Sequence, residues 1–319
     1  GYSNTTGANN VSVGYQSQRN GATGANNTSL GTYALFTSGN GTDNTILGYS
    51  AAGQGSFAGT ANTVVGGEAY YNGTSGNYNT AVGQKSLYSN TTASNNTAIG
   101  YQAGYSNQTG TQNAFLGNLS GYSATASNSA FFGYASGYST TSGVENTAMG
   151  GYRTLYSNTT GNYNTALGSQ ALYSNTTASN NTAVGYQALY TNTTGTRLTA
   201  VGWSAGRLST GDYNTFLGSY SGYGHTSGSF NTAVGDYSMG VSAITGIKNT
   251  AIGQASMSSL TSGAYNNALG VNALSTNSTG SYNIAVGNEA LFSNTTASNS
   301  VAIGYQALYS NTTTRSEEH

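Results

Sequence analysis

NTTASNNTAVGYQALY, Asn175–Tyr190, decides how this chain folds, because it is written nearly three times over. NTTASNNTAIGYQAGY runs from Asn90 to Tyr105, and NTTASNSVAIGYQALY from Asn294 to Tyr309. Its central pentapeptide, Asn181-Thr182-Ala183-Val184-Gly185, closes on a glycine, and such an anchor glycine recurs eighteen times between Gly14 and Gly304. Of the seventeen intervals between anchors, twelve have a length of seventeen, three of eighteen and two of sixteen. From Gly83 they run 17, 17, 16, 17, 18, and the same five follow Gly168, so five coils together form a higher-order repeat.

A period of 17 is too short for helix-pair repeats, and no helical periodicity runs inside the unit. Thr, Val, Tyr, Asn and Gly favour strands and turns. The fold class read from this is all-β, a parallel β-solenoid (β-roll) of about eighteen to nineteen 17-residue coils. Each coil is expected to carry a strand on N-T-A-V-G and a short strand on Q-A-L-Y, with turns at the anchor glycine and through S-N-T-T-G/A. Coils stack at the inter-strand spacing of ~4.8 Å, which gives an expected length on the order of 90 Å. Strand amides all pair with the coil above or below, which explains the absence of Pro. Residues 1–313 read as one continuous repeat domain, and 314–319 as a charged tail or the start of a further segment. The chain begins at Gly1, mid-repeat and without an initiator Met, as a processed product or fragment would.

Composition removes several functions. Charged residues are 5% of the chain, against about 25% in ordinary globular proteins. Gly supplies 47 residues and Tyr 27, while Pro and Cys are absent. Seven basic and eight acidic residues leave a net charge of −1, which is no electrostatic footprint for nucleic acid or an anionic membrane. Without Cys there is no disulfide framework and no thiolate metal site. No apolar run approaches the ~18 residues of a membrane span. A disordered chain would not hold its apolar residues in such strict register.

The position before the anchor is large and apolar throughout, as at Val13, Leu30, Val82, Ile99, Phe132, Met149 and Ile303. The position before that is mostly Ala, with Phe115, Phe131 and Phe216 as exceptions. Neighbours in a strand point to opposite faces, so one row fills the coil. The other forms an apolar stripe that asks for burial against copies of the same chain. The alternative is a wide coil that tucks both rows inside.

Four before the anchor stands Asn in fifteen of eighteen coils, including Asn79, Asn96, Asn113, Asn146, Asn164, Asn181, Asn214 and Asn231. Stacking makes this a structural ladder, each amide bonding to the next and satisfying turn backbone. Five after the anchor an aromatic recurs: Tyr88, Tyr105, Tyr122, Tyr138, Tyr173, Tyr190, Tyr223 and Tyr309, with Tyr156 equivalent after a one-residue insertion. This row reads either as a stack that stiffens one edge or as a surface that contacts sugars or proteins, and the two are compatible.

The acids do not converge. Asp43 and Glu145 share an offset but lie six coils apart, about 29 Å at the coil spacing, far from the carboxylate separation of a glycosidase. His225, in a G-Y-G-H-T-S-G turn, is expected to face solvent. No EF-hand, H-E-x-x-H or Walker pattern is present. The expectation is therefore no enzyme, with no catalytic, cofactor-binding or metal residues. Asn-x-Thr triplets such as Asn90-Thr91-Thr92 and Asn175-Thr176-Thr177 would be glycosylation acceptors in a eukaryotic secreted protein, but Asn and Thr also suit these turns.

Ser300-Val301-Ala302-Ile303-Gly304 and its N-T-A-V-G and N-T-A-I-G variants resemble the S-V-A-I-G core of the YadA-like (Hep/Hag) head repeats of trimeric autotransporter adhesins. Y-Q-A-L-Y-S-N-T-T-G arrays also look like the repeat shafts of phage tail-fibre-type proteins. The resemblance covers Val11 to Tyr309. It implies a left-handed, trimeric β-roll, extracellular, that holds or presents a binding surface. The family's head repeat is usually shorter than the repeat of this chain, so the extra residues here enlarge a turn. No neck, coiled-coil stalk or membrane anchor is recognisable.

The function expected on these grounds is an extracellular structural and adhesive solenoid, an adhesin head or tail-fibre shaft, at a cell surface or on a virion. Its partners would be itself, as a homotrimer, and host glycans or matrix proteins, with no nucleic acid and no membrane insertion. The alternatives are a self-assembling filament subunit stacking end to end, and an ice-binding solenoid using the Thr row at Thr28, Thr45, Thr63, Thr80 and Thr97.

Overall fold

The computed structural model describes residues 4–20, 23–37, 39–240 and 243–312. The tail expected at 314–319 lies outside them. No helix occurs among the described residues, and eighteen strands follow one another along the chain. They fall into two compact units, 1–163 and 164–319.

The first unit holds β1 (Val11–Val13) through β9 (Thr147–Tyr152), and the second β10 (Thr165–Leu167) through β18 (Val301–Ile303). Within each unit every strand pairs in parallel with the strand of the next coil. Val11, Ser12 and Val13 align with Thr28, Ser29 and Leu30 of β2 (Thr28–Leu30), and Ala285 of β17 (Ile284–Val286) aligns with Ala302 of β18. Each unit is thus a β-solenoid segment of about 17-residue coils.

Only one strand forms per coil, which corrects the expectation of a second on Q-A-L-Y. In the coil of Gly185 those residues lie in a turn where Gln187 and Leu189 take φ of 54° and 53°. The same two offsets carry positive φ in coil after coil, as at Lys85 and Leu87 or Glu289 and Leu291. A pleated strand cannot alternate in this way. The backbone is still satisfied between coils, because the alternation turns successive amides in opposite directions. Gln187 N–H donates to Ser169 of the preceding coil (3.1 Å), and Leu189 N–H to Ala205 of the following one (3.0 Å).

The anchor glycines are required sterically. Gly168 has φ of 130°, and an added β-carbon would sit 2.6 Å from the carbonyl oxygen of Gly185 in the next coil. Neither the conformation nor the space admits a side chain.

The strand triplets show which row is inside. The middle residue is buried in nearly every coil, as Ala81, Ala98, Phe115, Ala183 and Phe216 are, whereas the flanking Thr and aliphatic residues are half-buried or exposed. Ala or Phe fills most coils, with Ser29, Ile46 and Val64 in that place in three others, and the aliphatic residue before the anchor stands outside. Across the coil, the Ala row faces buried leucines four after many of the anchors, including Leu87, Leu172, Leu189 and Leu291. Where Phe replaces Ala, glycine replaces leucine. A β-carbon on Gly104 would lie 2.6 Å from the Phe115 ring, one on Gly121 2.5 Å from it, and one on Gly206 2.5 Å from the Phe216 ring. The core keeps its volume by exchange between coils.

The longer interval after Gly150 is absorbed locally. Between β8 (Ala130–Tyr134) and β9 the register shifts at Phe132/Tyr134, so that Tyr134 pairs with Tyr152. That bulge restores the alignment of Tyr156 with Tyr138.

Candidate functional surfaces

The Asn ladder is internal. Asn79, Asn96, Asn113, Asn146, Asn164, Asn181, Asn214 and Asn231 are all buried. Asn96 Oδ1 accepts the backbone N–H of Asn113 (3.0 Å), and Asn96 Nδ2 donates to the Gly110 carbonyl (2.9 Å). The next rung repeats it: Asn113 Oδ1 accepts from Ser129 N–H (2.9 Å), and Asn113 Nδ2 donates to Ala126 (2.8 Å). Each carboxamide therefore clamps two backbone groups of the following coil. Direct amide-to-amide bonds supplement this in some coils, as from Asn249 Nδ2 to Asn231 Oδ1 (3.1 Å). These side chains hold coils together and present nothing outward.

A second buried Asn row escaped the sequence reading. Asn90, Asn107, Asn158, Asn175, Asn192, Asn277 and Asn294 have no exposed surface. Asn107 accepts from Gly110 N–H (3.0 Å) and donates to its carbonyl (2.9 Å); Asn192 does the same with Gly195. The signal was an Asn seven after the anchor in the S-N-T-T turn. These residues open the Asn-x-Thr/Ser triplets of this turn, so in the folded chain the amide nitrogens that would carry a glycan at these positions are buried.

The tyrosines five after the anchor form a stacked edge. In the first unit Tyr71, Tyr88, Tyr105, Tyr122, Tyr138 and Tyr156 stack in sequence, with centroid separations of 5.0–5.2 Å and interplanar angles of 6–13°. In the second unit Tyr173 stacks on Tyr190 at 5.0 Å, and Tyr309 on Phe292 at 5.1 Å. Arg207 occupies the ring slot between Tyr190 and Tyr223, its guanidinium 5.0 and 5.7 Å from their centroids. The rings are half-buried, apart from the exposed Tyr309. Their faces cover one another, and the phenol edges are what they offer to solvent.

Five before the anchor lies a further row that the sequence reading passed over. Here φ is near 60° in every coil, a conformation Asn tolerates best and Asn often fills. In the second unit, between Asn180 and Asn299, the residues are instead Arg197, Tyr213, Phe230, Lys248, Tyr265 and Tyr282. Tyr213 stacks on Phe230 (4.9 Å) under the Arg197 guanidinium (5.0 Å), and Tyr265 on Tyr282 (5.0 Å) under the Lys248 ammonium (5.1 Å).

The outward strand face carries the aliphatic row with the Thr row beside it. Val13, Leu30, Leu47, Ile99 and Met149 in the first unit, and Val201, Leu217, Ile252 and Leu269 in the second, are between 37% and 54% exposed. The remaining aliphatic members of the row are half-buried, except Ile303, which is more exposed.

Several acids are engaged locally. Glu68 pairs with Lys85 (3.4 Å), Asp212 accepts from the N–H and hydroxyl of Thr196, and Glu289 accepts from Gln306. Among the described residues no group of three or more His, Asp or Glu could hold a metal ion. His225 does not face solvent, against expectation. It stands seven after its anchor, in the row otherwise filled by the second set of asparagines, and is fully buried. Asn231 Nδ2 lies 2.9 Å from its Nε2 and Ser209 Oγ 3.3 Å from its Nδ1. Since Asn231 Nδ2 can only donate, Nε2 is the acceptor and the proton sits on Nδ1. Burial lowers the imidazole pKa to about 4, opposed by a hydrogen bond to the Thr226 backbone that favours the protonated ring.

Compared with known proteins, the chain matches no family model and no curated sequence.

Proposed function

We propose that this β-solenoid is an extracellular structural and adhesive module, an adhesin head or tail-fibre shaft, that associates with copies of itself as a homotrimer. The observation that carries the proposal is the aliphatic stripe on the outward strand face, repeated coil after coil in each unit. Monomers rarely leave apolar patches beyond a few hundred Å² in water. With so few charges, the surface of such an assembly is hydroxyls, amides and phenol edges, suited to glycans or matrix proteins through neutral hydrogen bonding.

The test is the absolute mass in solution by light scattering on a sizing column. A particle of about three times 32.3 kDa is the expected result. A monomer, or particles of indefinite size that point to end-to-end filaments, would remove the trimer.

A second reading rests on the same face. Thr and aliphatic residues alternate outward on successive short strands, as Thr97 and Ile99 do, in a parallel ladder at the inter-strand spacing. Ice binding needs that face open, whereas a trimer covers it. A monomer that shows thermal hysteresis would favour the ice binder.

A further inference from the structure

We propose that the tyrosine row from Tyr71 to Tyr156 is a site of oxidative cross-linking, at which a haem peroxidase acting with hydrogen peroxide joins neighbouring rings as dityrosine. Six consecutive coils place phenols 5.0–5.2 Å apart and nearly parallel. Stacking alone does not require the hydroxyl, because Phe292 fills the same position and stacks on Tyr309 equally well. The hydroxyls of Tyr105, Tyr122 and Tyr138 bond to no protein group among the described residues and are not among the buried unpartnered polar atoms. Their hydroxyls face water, where a one-electron oxidant can reach them. The chain has no Cys, so a disulfide cannot tie its coils together, whereas coupled phenols could.

The chemistry closes. Each of two tyrosines gives one electron to the peroxidase and its hydroxyl proton to water, leaving a phenoxyl radical. Overlapping ring faces allow a radical to pass along the row, so two radicals formed at different rings can become neighbours. A carbon–carbon bond then forms between the positions ortho to each oxygen. The two ring C–H protons at those carbons leave, and both oxygens regain a proton as aromaticity is restored. The two electrons and two protons given up overall reduce one hydrogen peroxide to two waters as its O–O bond breaks. Adjacent coils set the two backbones at the inter-strand spacing, and rotation about the side-chain torsions brings the ortho carbons together.

Exposure alone predicts a different pattern. Tyr15 (64%), Tyr78 (64%) and Tyr305 (74%) are the more accessible phenols, and none belongs to the row. In the second unit Arg207 separates Tyr190 from Tyr223, so the Tyr173–Tyr190 pair should couple and the Tyr190–Tyr223 pair should not.

The experiment treats the full chain, dilute, with a haem peroxidase and hydrogen peroxide, and reads dityrosine fluorescence, intact mass and cross-linked peptides. The expected result is loss of two hydrogens per link, with peptides joining neighbours of the row within one chain. Replacing Tyr88, Tyr105, Tyr122 and Tyr138 together by Phe keeps the stack and should lower the fluorescence several-fold. Circular dichroism of that variant confirms that it is folded. Unchanged fluorescence in the folded variant, links mapping mainly to Tyr15, Tyr78 or Tyr305, or coupling of Tyr190 to Tyr223 would each overturn the proposal.

Discussion

Gly206 and Phe216 fit one another across two successive coils: a β-carbon on the glycine would stand 2.5 Å from Cδ2 of the phenylalanine. Gly222, in the same coil as Phe216, is pressed against the ring from the other side. Phe216 therefore fills the space that leucines fill elsewhere, and neither residue type can be changed alone.

The first prediction follows from that exchange. Phe216→Ala should cost about 3–5 kcal/mol through lost burial and the cavity left behind. Adding Gly206→Leu and Gly222→Leu recreates the Ala183/Leu189 arrangement, and both positions already have the positive φ that Leu189 adopts, 57° and 62° against 53°. The triple variant should regain more than half of the loss in urea unfolding. If the leucines deepen the loss, the coils do not share volume in this way.

The Asn ladder gives the second. Asn96→Ala removes an acceptor from Asn113 N–H and a donor from the Gly110 carbonyl, both bonded at about 3 Å. The buried Asn113 N–H is left unpaired, at a cost of about 1–3 kcal/mol, while the Gly110 carbonyl keeps the Asn107 amide as a donor, so a loss of roughly 1–3 kcal/mol is expected. Thr97→Ala, on the outward face, should stay within about 0.5 kcal/mol. Urea midpoints at constant slope separate the two, and equal midpoints would dismiss the ladder as a source of stability.

How much of this was legible in the sequence depends on the period of each signal. The strand on Thr182-Ala183-Val184, the parallel stacking and the rows at Asn181 and Tyr190 all recur once per coil and could be read directly. The strand wrongly expected at Gln187–Tyr190 looked apolar and polar by turns. Apolar alternation alone does not distinguish a pleated strand from a segment whose alternate residues take positive φ, since both send side chains to opposite sides. The Phe–Gly exchange was hidden because Phe115 is matched to two glycines, Gly121 in its own coil and Gly104 in the preceding one. His225 was misplaced for a related reason. Its turn was judged by local composition, whereas its offset from Gly218 is that of the buried Asn90 and Asn175.

His225 carries the third prediction. Its folded pKa, about 4, lies below the ordinary value of 6.5 because burial penalises the charged ring. The unfolded chain therefore binds more protons between those values, and stability falls as pH drops. The contribution is fully present above pH 6.5 and lost progressively toward pH 4, on the order of 3 kcal/mol in all. Protonation would also set Nε2–H against the Asn231 amide donor and disturb the ladder there. His225→Asn, the usual residue of that row, should flatten the pH dependence of the urea midpoint over this window. A variant as acid-sensitive as the parent would place the sensitivity elsewhere.

The last prediction concerns the outward stripe. Ile99 and Val201 are 41% and 39% exposed, on β6 (Thr97–Ile99) and β12 (Thr199–Val201). In a monomer, exchanging them for Lys replaces half-exposed aliphatics with side chains whose stems can cover the same surface while the ammonium reaches water. The folded chain should tolerate that with a change of about 1 kcal/mol or less. In a self-association interface the same exchange buries like charges from every copy, and unpaired buried charge is strongly unfavourable. The double variant should therefore keep its circular dichroism spectrum while its light-scattering mass falls from the trimer to 32.3 kDa. As a control, Ala98→Lys drives the charge into the coil interior and should unfold the chain, which separates loss of assembly from loss of fold. If the double variant still forms a trimer, the stripe is not the surface through which the copies meet.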